Sequence, residues 1–158
     1  MDTWLVRLAS AREPGVMATW WITLTAVLST LLGPGDTHAA CRTLGALDVR
    51  RAEAFAGATS APLRKVYVDE RAAEPDRALV RDYRGRGMRL VGMSMVRTSC
   101  EAAAERPGRV RLQVVETLGP TWAVDRTGQA TALPKDRPTR RVVTLVEVRD
   151  GWRVARVR

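Results

Sequence analysis

Six side chains of the sequence have the chemical type and the placement to exchange protons with a substrate. They are carboxylic acids and phenols in predicted helices or strands: Asp48, Asp82, Tyr67, Tyr83, Glu116 and Glu147. General acid–base work would fall to them because the one histidine, His38, lies in an N-terminal segment that reads as a targeting signal. Glu116 stands out because it continues the alternating apolar face of residues 110–114. It is either a pocket acid or an exposed strand end paired with an arginine.

Other patterns for catalysis or metal binding are missing from the sequence. No cluster of His, Cys and Asp has metal-ligand spacing, and two cysteines are too few for a four-cysteine zinc site. Gly85-Arg86-Gly87 follows a predicted helix instead of opening one, so it is not a phosphate-binding loop. Gly92-Met93-Ser94 lacks the second glycine of a nucleophile turn. The sequence therefore predicts no metal and no cofactor.

The order of residue types in residues 1–40 is that of a secretory signal. Arg7 and Arg12 precede an apolar stretch over residues 16–32, the helix-breaking residues 33–36, and the small residues Ala39 and Ala40. Such a stretch partitions into a bilayer while the basic end stays inside. We expect an extracytoplasmic protein, either secreted or anchored in the cytoplasmic membrane. Residues 1–40 would be a signal peptide or anchor, and residues 41–158 one folded domain.

Several alternatives remain open for this segment. Cleavage after Ala39 or Ala40 fits the small-residue rule only in part, and Cys41 invites a lipoprotein signal in which His38 replaces the usual leucine-like residue. The apolar core of about 17 residues is also at the lower limit for an uncleaved transmembrane helix. A buried helix of a cytosolic fold, or a true start at Met17, is a further alternative.

Export gives the two cysteines a predicted role. Cys41 and Cys100 would be the only thiols of the exported part, in an oxidising compartment. A disulfide between them would stabilise the fold by roughly 3–4 kcal/mol in the chain-entropy model. The alternatives are two unpaired cysteines, or lipidation of Cys41, which would exclude the bond.

The charge of the chain is basic, with 26 Lys and Arg against 17 Asp and Glu and a net charge of +9. Nearly all the basic residues are arginine, a skew typical of GC-rich coding DNA, so a solvated arginine-rich surface is one explanation. The other is an anionic partner. Arginines cluster on the predicted terminal hairpin: Arg140, Arg141, Arg149, Arg153, Arg156 and Arg158. Predicted export favours an anionic lipid surface over nucleic acid.

Helices come first in the exported part and strands follow. Apolar spacing predicts a helix over residues 44–56, in which Leu44, Leu47, Arg51 and Phe55 recur at helical spacing, and a short helix capped by Ser60. A third helix is predicted over residues 74–84, with Leu79, Val80 and Tyr83 facing inward. After Gly87 the period changes to two, which predicts strands over residues 88–97, 109–117, 122–124, 140–149 and 152–157. Residues 129–139 read as a loop. The fold class is therefore α+β, with N-terminal helices packed on a curved antiparallel sheet.

Two segments in this order carry a resemblance to a known family. The hairpin Asp150-Gly151-Trp152-Arg153-Val154-Ala155 resembles the last hairpin of the NTF2-like superfamily, which includes SnoaL-like and ketosteroid-isomerase-like proteins. Residues 47–56 are similar to its first helix, and Leu63 to Tyr67 match the stretch that follows it. The resemblance covers residues 44–157. It implies a cystatin-like cone with an apolar pocket between helices and sheet.

The resemblance does not imply one function, because the fold hosts many. We expect the pocket to involve Tyr67, Tyr83, Glu116 and Trp122. No catalytic residue of the family maps onto this chain, which favours an exported, non-catalytic binding or interaction module. Its partner would be a small apolar ligand or a cell-envelope protein, and it could pair as a homodimer. The alternatives are a small-molecule isomerase or cyclase of the SnoaL-like kind and an accessory subunit of a membrane complex.

Overall fold

Two α-helices and a short 3₁₀ helix precede seven strands in the computed structural model, which describes residues 35–158. The helices are α1 (Gly35–Ala56), the 3₁₀ helix (Ala61–Lys65) and α2 (Glu70–Gly85). The strands are β1 (Arg89–Val91), β2 (Met95–Arg106), β3 (Arg109–Leu118), β4 (Trp122–Val124), β5 (Ala130–Ala132), β6 (Thr139–Val148) and β7 (Gly151–Val157). The predicted α+β class and the order of helices before antiparallel strands are confirmed.

The strands form two antiparallel sheets instead of the single sheet predicted. One sheet has the order β1-β4-β5 and the other the order β2-β3-β6-β7. The predicted strand over residues 88–97 divides because Gly92 adopts a positive φ of 77°, which ends β1 and redirects the chain into β2. Residues 130–132, predicted as loop, pair with β4 as the edge strand β5.

The apolar side chains form two buried clusters under the helices. The first lies between α1 and the four-stranded sheet and includes Leu44, Leu47, Val66, Val110, Leu112, Val114, Val143, Leu145 and Val154. The second lies among the end of α1, α2 and the three-stranded sheet and includes Ala54, Phe55, Leu63, Val80, Leu90 and Ala123. The predicted inner face of α1 is thus confirmed for Leu44, Leu47 and Phe55. The helix itself begins at Gly35, nine residues before the predicted start at residue 44.

The second helix differs from its prediction in two respects. It begins at Glu70 because the Asp69 side chain caps it, accepting from the Ala72 N–H at 2.7 Å, and Pro75 lies inside it. The prediction that Leu79 faces inward is wrong, since Leu79 is 47% exposed. The buried face is instead the line of Ala73, Asp76 and Val80, which recurs at helical spacing.

The predicted disulfide between Cys41 and Cys100 is confirmed. It joins α1 to β2, with the two Cα atoms 6.2 Å apart, and no other cysteine is present. Both half-cystines pack against the first apolar cluster. The bond therefore ties the first helix to the strand beneath it, and it is compatible with an extracytoplasmic location.

Most of the predicted signal or anchor segment, over residues 1–34, lies outside the described residues, as does the expected transmembrane helix. Within residues 35–158 no helix combines the length and the apolar composition needed to cross a bilayer. Helix α1 runs without a break across Ala40 and Cys41, where the sequence analysis placed the boundary of the folded domain.

Candidate functional site

A buried ion-pair cluster links α1 to the inner face of the four-stranded sheet. Arg97 on β2 lies opposite Glu116 on β3 in the sheet register, and its Nε donates to Glu116 Oε2 at 3.1 Å. The same guanidinium donates through Nη2 to Oδ2 of Asp48 on α1. Glu116 is only 7% exposed. One arginine thus compensates two carboxylates at the end of the apolar core.

A second buried cluster joins α1 to α2. Arg51 forms a two-point ion pair with Asp76, in which Nη2 donates to Oδ1 at 2.7 Å and Nε donates to Oδ2. The Tyr67 hydroxyl donates to the same Oδ2 at 2.6 Å. Asp76 is 4% exposed, and the Arg51 guanidinium also lies over the Phe55 ring, 5.7 Å from its centroid. Three donors therefore neutralise a carboxylate that would otherwise be very costly to bury.

Burial shifts the pKa of Asp48 and of Tyr67. Desolvation raises the pKa of Asp48, and the charge of Glu116 adds to this effect, whereas the adjacent Arg97 opposes it. Desolvation and the charge of Asp76 raise the pKa of Tyr67 well above its ordinary value, so the phenol stays protonated. Each member of the two clusters is already engaged by a neighbour, which is the arrangement of a structural network.

An open groove of about 580 Å³ lies where β2 begins and β3 ends, beside the three-stranded sheet. No lining residue comes from a helix. Most of its wall surface is apolar, and a smaller part is polar or charged. The lining residues are Val96, Thr117, Leu118, Gly119, Pro120, Thr121, Trp122, Ala132, Leu133, Lys135, Asp136 and Pro138. Trp122 is 41% exposed and Val96 50% exposed, so two large apolar surfaces face solvent in the same groove.

One wall of the groove is positioned by a glycine, Gly92, and the other by backbone hydrogen bonds to Asp136. The Trp122 indole lies against Gly92, where an added Cβ would come within 2.9 Å of the ring, so only glycine permits this approach. On the other wall, Asp136 accepts from the N–H of Leu118 at 2.9 Å and from the N–H of Arg137 at 2.8 Å. These hydrogen bonds lower the pKa of Asp136 and fasten residues 133–138 to the end of β3.

A smaller cleft of about 320 Å³ lies between the 3₁₀ helix and the start of α2. Its walls carry both signs of charge, with Arg64 and Arg77 against Asp69 and Glu70. Arg77 forms an ion pair with Glu70 along α2, and its Nε is buried without a hydrogen-bond partner among the described residues. Tyr67 lines the cleft, but its hydroxyl is engaged by Asp76. The cleft is more polar than the groove.

The four predicted pocket residues do not lie together. Trp122 lines the groove, Tyr67 lines the cleft, and Glu116 is buried in the ion pair with Arg97. Tyr83 packs against the second apolar cluster with the Arg86 guanidinium 4.6 Å from its ring centroid. The pairing of Glu116 with an arginine follows one of the two alternatives raised by the sequence, although the side chain is buried and not exposed.

The remaining acids of the sequence analysis lie apart from both cavities. Asp82 is exposed in an ion pair with Arg86, and Glu147 is exposed on β6. Sequence reasoning did not find Arg51, Asp76 and Arg97 as members of buried clusters. The continuation of an apolar face by Glu116 was the one usable signal, because a buried carboxylate requires a cationic neighbour.

No family model matches the chain, and no curated protein sequence matches it. In the part of the chain that the structure describes, no group of three or more His, Cys, Asp and Glu side chains is arranged to hold a metal ion.

Proposed function

We propose that this protein is an extracytoplasmic, non-catalytic interaction module that holds an apolar segment of a cell-envelope protein in the groove beside Trp122. The observation that carries the proposal is the exposure of Trp122 and Val96 in one groove of about 580 Å³. Tryptophan is enriched among the few residues that supply most of the binding energy of a protein–protein interface.

The form of the groove favours a protein segment over a small molecule. Pockets for small ligands usually enclose most of the ligand surface, whereas this groove is open to solvent along one side. Its mostly apolar lining also includes Lys135, Asp136 and Thr117. Apolar contact surface together with polar groups is the usual composition of a protein interface.

The disulfide supports the extracytoplasmic part of the proposal. Disulfides persist in oxidising compartments and are rare in the cytosol. The Cys41–Cys100 bond therefore agrees with the export signal read in residues 1–40. The NTF2-like resemblance remains a prediction, and the proposed function does not depend on it.

The enzyme alternative has less support. Isomerase chemistry needs an acid or base facing a substrate cavity. The buried carboxylates Glu116 and Asp76 are instead paired with Arg97 and Arg51. The groove contains one carboxylate, Asp136, which accepts two backbone hydrogen bonds that fix its position.

Site-specific photo-crosslinking in the native host tests the proposal. Benzoylphenylalanine would replace Val96 or Leu133 in the groove of the full chain. The matched control positions are Leu79 on α2 and Val49 on α1, which are 47% and 62% exposed and lie outside the groove. We expect one discrete protein adduct from the groove positions and none from the controls. W122A, combined with either groove crosslinker in the same host, should reduce the yield of that adduct roughly tenfold or more. The reason is that loss of a central tryptophan costs about 2 kcal/mol or more of binding free energy.

Three outcomes would contradict the proposal. Adducts of equal yield from groove and control positions would mean nonspecific contact. A mass increase of lipid size at Val96 or Leu133 would mean that the groove holds a small apolar ligand. An adduct that W122A leaves unchanged, in a variant with wild-type thermal stability, would mean that the tryptophan is not the anchor.

A further inference from the structure

Six arginines share the outer face of the four-stranded sheet, which is the face turned away from α1 and the apolar core. The sheet register places them, because Leu112, Val114 and Leu145 point inward and their neighbours in each strand point outward. The outward positions with arginine are Arg106 on β2, Arg109 and Arg111 on β3, Arg140 on β6, and Arg153 and Arg156 on β7. We call this set the arginine face.

The register brings five of these arginines close together, whereas Arg140 lies opposite Val115, farther along the same face. Arg106 on β2 pairs directly with Arg109 on β3. Val146 on β6 pairs with both Arg109 and Arg153, so these residues form one row across the four strands. In the next row, Thr144 lies between Arg111 and Arg156. Adjacent strands are about 4.8 Å apart, so the four strands present a patch about 15 Å wide.

The arginine face is nearly uncompensated. Its outward positions contain one acid, Glu101 on β2. Within residues 35–158, none of the six guanidinium groups forms an ion pair with a carboxylate. The arginines that do form ion pairs lie on the helices or at the inner face of β2: Arg51, Arg77, Arg81, Arg86 and Arg97.

Unpaired arginines also lie elsewhere in residues 35–158, so lack of an ion pair does not by itself mark a functional surface. What distinguishes the arginine face is the adjacency of its members. Arg106 and Arg109 are direct partners there, and like charges in direct register destabilise the sheet. An anionic partner would relieve that repulsion.

We propose that the arginine face binds the anionic headgroups of a lipid surface. The face is a sheet surface with five exposed arginines, Arg106, Arg109, Arg111, Arg140 and Arg156, so several headgroups can be contacted at once. The apolar stretch over residues 16–32, which the sequence predicts to enter a bilayer, would bring the domain to such a surface.

Two other occupants fit this face less well. Single-stranded nucleic acid is held by aromatic side chains that stack on bases, and no outward position of the four strands is aromatic. The aromatic residue of β7, Trp152, packs against the apolar core instead. A second copy of the chain would oppose arginine with arginine, so the predicted homodimer would have to use another surface.

Vesicle flotation of the full chain tests this proposal. The probes are vesicles of phosphatidylcholine alone and vesicles in which a third of that lipid is replaced by phosphatidylglycerol, each at low and at physiological salt. Any insertion of the apolar N-terminal stretch, which the sequence predicts, would contribute to binding of both kinds of vesicle, so the ratio of the two affinities measures the effect of the anionic headgroups. The test variant is R109E/R111E/R156E, and R50E/R64E/R71E makes the same change of net charge at exposed arginines elsewhere.

We expect the wild type and R50E/R64E/R71E to prefer the anionic vesicles, with a preference that weakens as salt rises. R109E/R111E/R156E should lose that preference by roughly a hundredfold, since each arginine at a lipid surface contributes about a fivefold change in affinity. Circular dichroism melting establishes that each variant folds.

Equal loss in both triple variants would overturn the proposal, because only net charge would matter. An unchanged preference in R109E/R111E/R156E would overturn it as well. Tighter binding of a single-stranded DNA oligonucleotide than of anionic vesicles, abolished by the same three substitutions, would assign the face to nucleic acid. The groove experiment with W122A is independent of all these outcomes.

Discussion

Arg51 and Asp76 join the two α-helices of residues 35–158 through a two-point ion pair that is largely buried. The side chains are 20% and 5% exposed, and the Tyr67 hydroxyl donates to the same carboxylate. Geometry of this quality does not make a buried ion pair a large net stabiliser, because both charges lose their hydration. It does make the loss of one partner costly, since the other charge then remains buried and unpaired.

We therefore expect D76N to lower the free energy of unfolding by about 3 kcal/mol, measured by urea denaturation at neutral pH. The control is D82N, which breaks the exposed ion pair between Asp82 and Arg86 on the same helix. That change should cost less than about 1 kcal/mol. Equal effects of the two substitutions would mean that the Arg51–Asp76 pair is not the link between the helices.

Reduction of the Cys41–Cys100 disulfide should destabilise the protein substantially. The two cysteines are separated by 59 positions, and closing a loop of that length in the unfolded chain corresponds to about 4 kcal/mol in the chain-entropy model. The measurement is urea denaturation of the wild type with and without reductant, compared with C41S/C100S, which should match the reduced wild type. A difference below about 1 kcal/mol would contradict this account.

The apolar pattern was sufficient to predict the inner face of α1 and most strand positions. Leu44, Leu47 and Phe55 recur at the helical period, and Val110, Leu112 and Val114 at the strand period, so each pattern indicates a buried face by itself. The start of α2 was missed because the sequence Glu74-Pro75-Asp76 resembles a helix start, whereas the Asp69 cap lies five positions before Glu74.

The polar interior could not be predicted in the same way. From the sequence alone, Asp76 resembles a solvent-exposed position of a helix. It is buried because the fold places Arg51, 25 positions away in the sequence, in contact with it. Likewise, the alternation of β3 predicts that Glu116 points inward, but its pairing with Arg97 depends on an irregularity of register between Arg97 and Ser99. The groove was missed for a related reason: Val96, Trp122 and Leu133 come from three separate segments.

The pKa of Asp48 should respond in opposite directions to its two charged neighbours. Burial raises this pKa above the ordinary value of 3.8, the charge of Glu116 raises it further, and Arg97 opposes both. E116Q should therefore lower the pKa of Asp48, and R97M should raise it. Carbon-detected NMR of the carboxyl group measures both changes, with Asp125 as the control, because its pKa is lowered by hydrogen bonds in its own turn.

The same shift has a defined effect on stability. A carboxyl whose folded pKa is raised binds its proton more tightly in the folded state, so its contribution is present below pH 3.8 and is lost as the pH rises through the folded pKa. D48N removes this contribution. The stability of the wild type relative to D48N should therefore fall as the pH rises above 3.8, and then level off. A rise over that interval would mean that Arg97 outweighs burial.

Gly92 should be required for the position of Trp122. Its φ is +77°, and a Cβ would lie 2.9 Å from Cζ3 of the indole and 3.2 Å from the backbone oxygen of Pro120, which has little freedom to move. G92A therefore combines backbone strain with a clash and should cost about 2–3 kcal/mol, with a red shift of Trp122 fluorescence as the ring leaves the groove wall.

Gly128 is the matched control, because its φ is +89° but nothing lies within 4 Å of an added Cβ, so G128A should cost only about 1 kcal/mol and leave the emission unchanged. Equal costs for the two substitutions, with no spectral shift in G92A, would mean that the groove wall adapts to the added methyl group and that Gly92 serves the turn alone.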